Sequence, residues 1–208
     1  MTRTRIKVCG ITSPADAGCA ITAGADAIGM VFYSKSPRHV SISSAREILA
    51  SMPPFTSTVG LFVNSSQEDV STVLADVPLD LLQFHGDEGE SFCSSFNRPY
   101  IKAVRVKPET DLVQLCRQYS SARGILLDSY KKGIPGGTGE TFDWGMIPAN
   151  LPLPIVLAGG LDANNVAAAV SKVQPWAVDV SSGVEISPGK KDRQKIDQFI
   201  QAVGSLRQ

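Results

Sequence analysis

A parallel (β/α)8 barrel, the TIM-barrel class of α/β fold, is what this sequence predicts, as one domain over residues 1–208. Three observations carry that expectation. Strand-length apolar runs alternate with helix-length segments along the whole chain. There are eight such pairs, and 208 residues shared by eight units gives about 26 residues each, enough for one strand, one helix and two turns. The runs are rich in Val, Ile, Leu and Phe, as suits parallel strands covered on both faces.

In order, the strand-like runs are 5–11, 27–33, 58–63, 81–85, 100–106, 124–128, 154–158 and 177–180. Helices are expected at 14–23, 43–51, 66–75, 88–96, 109–119, a short one near 144–147, then 163–172 and 192–206. Pro14 favours a first helical turn, with Thr12 or Ser13 capping it; Ser65 and Asp162 are candidate caps for the third and seventh helices. Met52-Pro53-Pro54-Phe55 reads as a turn, and no linker or low-complexity segment divides the chain. The longest loop holds the Gly-rich stretch 132–141, whose glycines suit a lid. An open doubly wound sheet is the alternative architecture. The count of eight units and the lack of GxGxxG after the first strand argue against it.

Composition narrows the function. Lys+Arg and Asp+Glu both number 20, so no clustered positive charge points to nucleic acid or an anionic membrane. No apolar run nears the ~20 residues of a membrane span. The N-terminus has no apolar signal region, and Cys9, Cys19, Cys93 and Cys116 form no disulfide scaffold, so a reducing cytoplasm is expected. Cys19, Cys93 and Cys116 fall in helical segments and read as packing. No cysteine pair has metal-ligand spacing, and the only histidines are His39 and His85, so no zinc site is expected. Apolar residues on the outer helices fit a monomer or a homodimer.

In a barrel the chemistry lies at the C-terminal ends of the strands. There the chain places Cys9-Gly10, residues 33–38, Val63-Asn64, His85-Gly86, Arg105-Val106, Asp128-Ser129, Gly159-Gly160 and residues 179–183. The opposite ends lack this mixture of glycine, thiol, imidazole and hydroxyl. Gly159-Gly160 and Ser182-Gly183 end strands seven and eight, where backbone N–H groups can bind phosphate, so a phosphorylated small molecule is the expected partner. Asp128 is either a hydrogen-bonded structural carboxylate or an acid/base group. Cys9 is either packing or, across the ring from Asp128, the other half of a proton-shuttling pair. Arg38 suits a substrate carboxylate or a solvated surface. His85 lines the mouth or sits in the core with one hydrogen bond. Asp179 holds a sugar hydroxyl or backbone groups. A thiol acting as base needs a lowered pKa. Lys7 shares a face with Cys9, but their backbones are about 7 Å apart, which makes it no obvious helper.

Taken together, Lys7-Val-Cys-Gly-Ile-Thr12, Ser36-Pro-Arg38, Gly60-Leu-Phe-Val-Asn64, Gln83-Phe-His-Gly86, Leu127-Asp-Ser129, Gly136-Gly-Thr-Gly139 with Phe142-Asp-Trp144, Leu157-Ala-Gly-Gly-Leu161, and Val178-Asp-Val-Ser-Ser-Gly-Val-Glu185 with Gly189-Lys-Lys-Asp192 are distinctive. The set resembles the phosphoribosylanthranilate isomerases of tryptophan biosynthesis, in order and over almost the whole chain. The resemblance implies an Amadori rearrangement of an aminoaldose to an aminoketose. It implies Asp128 as general acid, Cys9 as general base and Arg38 on the anthranilate carboxylate. It also implies phosphate on the backbone around Gly159, Gly160, Ser182 and Gly183, with Asp179 beside the ribosyl chain and no cofactor. The sequence departs from the family pattern at Phe84 and Ala177, neither of which carries a proposed role. The histidine-pathway isomerase barrel is one rival; Cys9 and the lack of a half-barrel repeat argue against it. A catalytically silent sugar-phosphate binder is another; such a module needs neither Cys9 nor Asp128.

Overall fold

The computed structural model describes residues 3–129 and 143–205. Within them, eight parallel strands close in sequence order into a barrel. They are β1 (Arg5–Cys9), β2 (Ala27–Val31), β3 (Ser57–Phe62), β4 (Leu81–Phe84), β5 (Tyr100–Val106), β6 (Ile125–Ser129), β7 (Ile155–Leu157) and β8 (Ala177–Val180). The ring closes where β1 pairs with β8, from Arg5 opposite Ala177 to Val8 opposite Val180. The 132–141 stretch, motif positions 136–139, Phe142 and the last position of the predicted final helix lie outside the described residues.

Among the described residues seven α-helices cover the strands: α1 (Pro14–Ala23), α2 (Ile42–Ala50), α3 (Gln67–Asp76), α4 (Glu90–Ser94), α5 (Leu112–Gln118), α6 (Val166–Val173) and α7 (Arg193–Gly204). In the sixth unit the short segment expected near 144–147 is a 3₁₀ turn, Trp144–Met146. Caps fix the helix starts. Ser13 accepts from the Asp16 N–H and starts α1 as expected. Ser66, not Ser65, starts α3, because Asp69 completes a reciprocal capping box with it. Asp111 caps α5 from the Gln114 N–H, so that helix begins later than 109. Asp162 accepts from the Asn164 and Asn165 N–H groups, and its carbonyl accepts from Val166, so it caps the turn that leads into α6.

Side-chain alternation sorts each strand into two faces. The even positions Leu82 and Phe84 of β4 join the core between sheet and helices. Leu81 of the same strand packs with Ile101, Ala103, Leu126, Val156, Ala158 and Ala177 inside the barrel. Cys9, Val31 and Leu61 form a third cluster at the upper rim. Where α4 is only five residues long, Phe84 packs with Phe92, Phe96 and Tyr100 at centroid distances of 5.7, 5.8 and 6.0 Å. Ring volume there does the covering that a longer helix does elsewhere.

One buried ion pair sets the rim after β4. Lys102 Nζ donates to Glu88 Oε2 at 2.9 Å and to the Gly86 carbonyl at 2.6 Å. Glu88 in turn accepts from the N–H groups of Asn64 and Gly86. These bonds bracket His85 from the following residues. Removing one member of a buried pair strands the other's charge, so Glu88→Ala is expected to lower unfolding free energy by about 3–5 kcal/mol. Urea unfolding measures it, and a loss within error of zero would mean the pair is dispensable.

Candidate active site

A cavity of about 590 Å³ opens at the C-terminal ends of the strands. Cys9, Arg38, His85, Asp128, Gly159, Gly160, Asp179 and Ser182 all line it. Gly183 is not among the lining residues. A Cβ there would lie 2.0 Å from the Leu161 carbonyl oxygen, so Gly183 lets the loops after β7 and β8 approach each other.

Asp128 Oδ2 lies 3.1 Å from His85 Nε2, and both side chains are largely buried. Gln83 Nε2 lies 3.0 Å from His85 Nδ1 on the other edge of the ring. His85 is thus polar lining tied to Asp128.

Lys7 also enters the site, which the sequence reading did not expect. Its Nζ donates to Asp179 Oδ1 at 2.9 Å, deep in the barrel. The backbone spacing from residue 7 to residue 9 is crossed by the lysine side chain itself. A Cβ on Gly29 would meet Cys9 Sγ at 2.9 Å and Lys7 Nζ at 3.0 Å, so glycine leaves the shared space that thiol and ammonium occupy. Burial works to lower the Lys7 pKa, but Asp179 and Cys9 outweigh it and hold the ammonium charged. Burial acts oppositely on the Asp179 carboxyl and pushes it up against the pull of Lys7. The direct contact favours the ionic form of this pair. At Cys9, burial pushes the thiol up, Lys7 draws it back, Asp179 raises it and Lys191 lowers it; the net direction is up. Cys9 is therefore held as a thiol, with two cations, Lys7 and Lys191, set against its burial.

A second network holds Arg38. The hairpin of β9 (Glu185–Ser187) and β10 (Lys190–Lys191) follows β8. Glu185 accepts from Arg38 Nε at 2.8 Å and Nη2 at 2.7 Å. Lys191 Nζ donates to Glu185 Oε1 at 2.8 Å, to the Cys9 carbonyl at 2.6 Å and to the Ser181 carbonyl at 3.2 Å. Burial works to raise the Glu185 carboxyl, but Arg38 and Lys191 outweigh it and keep it below the usual range. Burial pulls the Lys191 ammonium down against Glu185. Gly10 has φ +76, and a Cβ there would lie 2.6 Å from Arg38 Cδ, so Gly10 lets the arginine cross the Cys9 loop. The network spends two donors of Arg38 and leaves its Nη1 amino group uncommitted to Glu185.

Gly159 and Gly160 have φ +82 and +67. Positive φ at both positions suits glycine, and with no side chains the backbone of this loop can come close to a ligand in the cavity. Asn165 Nδ2 donates to the Gly160 carbonyl at 2.8 Å and fixes that turn. Among the described residues no group of three or more His, Cys, Asp or Glu side chains is placed to hold a metal ion.

Residues 6–202 match the family model described as N-(5'phosphoribosyl)anthranilate (PRA) isomerase. The chain belongs to this family. It is 59% identical over 203 residues to the N-(5'-phosphoribosyl)anthranilate isomerase of Pseudomonas fluorescens strain SBW25, covering 98% of this chain and 97% of that one. Among solved structures, the phosphoribosyl anthranilate isomerase of Thermotoga maritima superposes with a TM-score of 0.88 at 42% identity, over 98% of this chain and 100% of that one. A structure of a phosphoribosyl anthranilate isomerase in complex with reduced 1-(o-carboxyphenylamino)-1-deoxyribulose 5-phosphate gives a TM-score of 0.85 at 41% identity, over 98% of this chain and 100% of that one.

The residues missed by sequence reasoning are Lys7, Gln83, Glu185 and Lys191. Each lies within a quoted motif, but nothing local marks it as chemical. No described helix is long and apolar enough to cross a membrane. Cys93 and Cys116 are buried and Cys19 is half-buried, all within helices, in keeping with packing.

Proposed function

We propose that the cavity converts N-(5'-phosphoribosyl)anthranilate to 1-(2-carboxyphenylamino)-1-deoxyribulose 5-phosphate, with Asp128 as general acid and Cys9 as general base. Family membership supports the reaction; the meeting of Cys9 and Asp128 in one cavity supports the two roles.

Asp128 gives a proton to the ribose ring oxygen. The C1–O bond breaks, the anilino nitrogen lends its lone pair, and an iminium forms at C1. Cys9 as thiolate takes the C2 proton. The C–H electrons become a C1=C2 bond and the nitrogen regains its lone pair. The resulting enol passes to the ketone as its hydroxyl proton leaves and C1 is protonated. The thiol's raised pKa is consistent with this order, since the iminium brings a positive charge to the site just when a thiolate is needed. Substrate phosphate sits on backbone N–H groups around Gly159-Gly160 and the turn from Ser182, with Asp179 beside the ribosyl hydroxyls. We place the enzyme in the cytoplasm, as a monomer or homodimer.

The direct test is to incubate purified protein with phosphoribosylanthranilate and follow loss of the anthranilate fluorescence. No loss above the uncatalysed rate would overturn the reading. Arg38, held from behind by Glu185, offers its remaining N–H groups to the substrate carboxylate. A hydrogen bond to a charged group is worth about tenfold to a hundredfold in binding, so Arg38→Ala is expected to raise KM by that factor with kcat nearly unchanged. An unchanged KM would remove Arg38 from carboxylate recognition.

A further inference from the structure

Gln83 sits midway up the barrel interior, fully buried, opposite Leu61 on β3 and Ile101 on β5. A glutamine is costly there. Its Oε1 is buried with no hydrogen-bond partner among the described residues. An unmatched buried oxygen destabilises a fold, whereas an apolar side chain of similar volume would leave none. The amide has one bond that an apolar side chain cannot make: Nε2 to His85 Nδ1 at 3.0 Å.

We infer that Gln83 is a positioning residue that fixes the tautomer of His85 and, through it, presents an N–H rather than a lone pair to the Asp128 carboxyl. An amide N–H on Nδ1 requires that nitrogen to accept. A neutral imidazole then carries its proton on Nε2. Nε2 lies 3.1 Å from Asp128 Oδ2 and donates to it. With an N–H rather than a lone pair facing Oδ2, the imidazole does not compete with the substrate for the carboxyl proton. As that proton leaves for the substrate, negative charge grows on the carboxyl group and the Nε2–H bond strengthens. The opposite tautomer would present a lone pair to Oδ2, draw the proton toward the imidazole, and oppose the transfer. This role rests on Asp128 as general acid.

The chain has two histidines, His39 exposed and His85 half-buried at the site, so their ring nitrogens are separable by 15N NMR on histidine-labelled protein. In the unliganded wild type, His85 is expected as the Nε2–H tautomer. Gln83→Met removes the amide and the orphaned oxygen together. It is expected to abolish the tautomer preference and lower kcat about tenfold to a hundredfold, the value of one hydrogen bond to a charged group. KM and binding of a reduced product analogue should hold, and so should folding stability. Gln83→Leu is the second variant if the first folds poorly. The inference is overturned if the wild type carries the proton on Nδ1, if the variants keep the Nε2–H tautomer, or if kcat is unchanged. The tautomer is read without substrate. It therefore fails or stands separately from the acid role, which falls if Asp128→Asn keeps its kcat.

Discussion

Cys9→Ser is expected to lower kcat by on the order of a thousandfold while a reduced product analogue still binds. Serine has nearly the same shape, so the cavity should persist. What is lost is ionisability: a hydroxyl in this buried place does not yield an alkoxide at neutral pH. The wild-type pH profile should carry the same signature. Burial holds the folded thiol above its ordinary value of 9.0, so the thiolate is gained as pH rises and the activity of the free enzyme should climb on its alkaline side. Lys7→Gln keeps a donor for Asp179 but removes the cation beside the thiol, which raises the thiol pKa further. The rising limb should then move to higher pH. A limb that stays in place would separate Lys7 from the base, and near-normal kcat in Cys9→Ser would remove Cys9 from the chemistry.

How these parts were or were not legible in the sequence follows from the range of the interactions. Buried parallel strands are apolar on both faces, so eight runs stood out, and the strand-end rule then gathered Cys9, His85, Asp128 and Asp179 onto one rim. Capping residues mark a helix start to within a residue or two, and where two candidates adjoin, as Ser65 and Ser66 do, only the partner three residues on decides between them. Ion pairs between residues far apart in sequence leave no local mark, even where their strands are neighbours at the closing seam. Lys7 and Asp179 lie 172 positions apart, and Arg38 and Glu185 lie 147 apart. Periodicity says which face a side chain takes within its own strand, not what waits opposite. The β9–β10 hairpin was hidden for a related reason: two short strands built around Ser187-Pro188-Gly189 read as a loop between strand eight and the last helix. Gln83 was passed over because one polar residue in an apolar run has no pattern to mark it; its meaning comes from His85 and Asp128 together.

Asp128→Asn tests the other half of the proton transfer, with an expected loss in kcat also on the order of a thousandfold. The amide oxygen of asparagine can still accept from His85 Nε2, so the rim should keep its geometry and the variant should unfold near the wild-type midpoint. It lacks a proton acidic enough to give the ring oxygen as C1–O breaks. A loss of rate alone does not separate an acid from a carboxylate that merely orients His85, and Asp128→Ala does. Truncation leaves space for a small carboxylic acid beside the substrate's ring oxygen. Added formate buffer, through its protonated fraction, should restore part of the lost kcat in the alanine variant. It should restore none in the asparagine variant, where the amide fills the space. Recovery in neither would leave Asp128 an orienting group, and His85, the nearest proton carrier in the cavity, would become the group to test as acid.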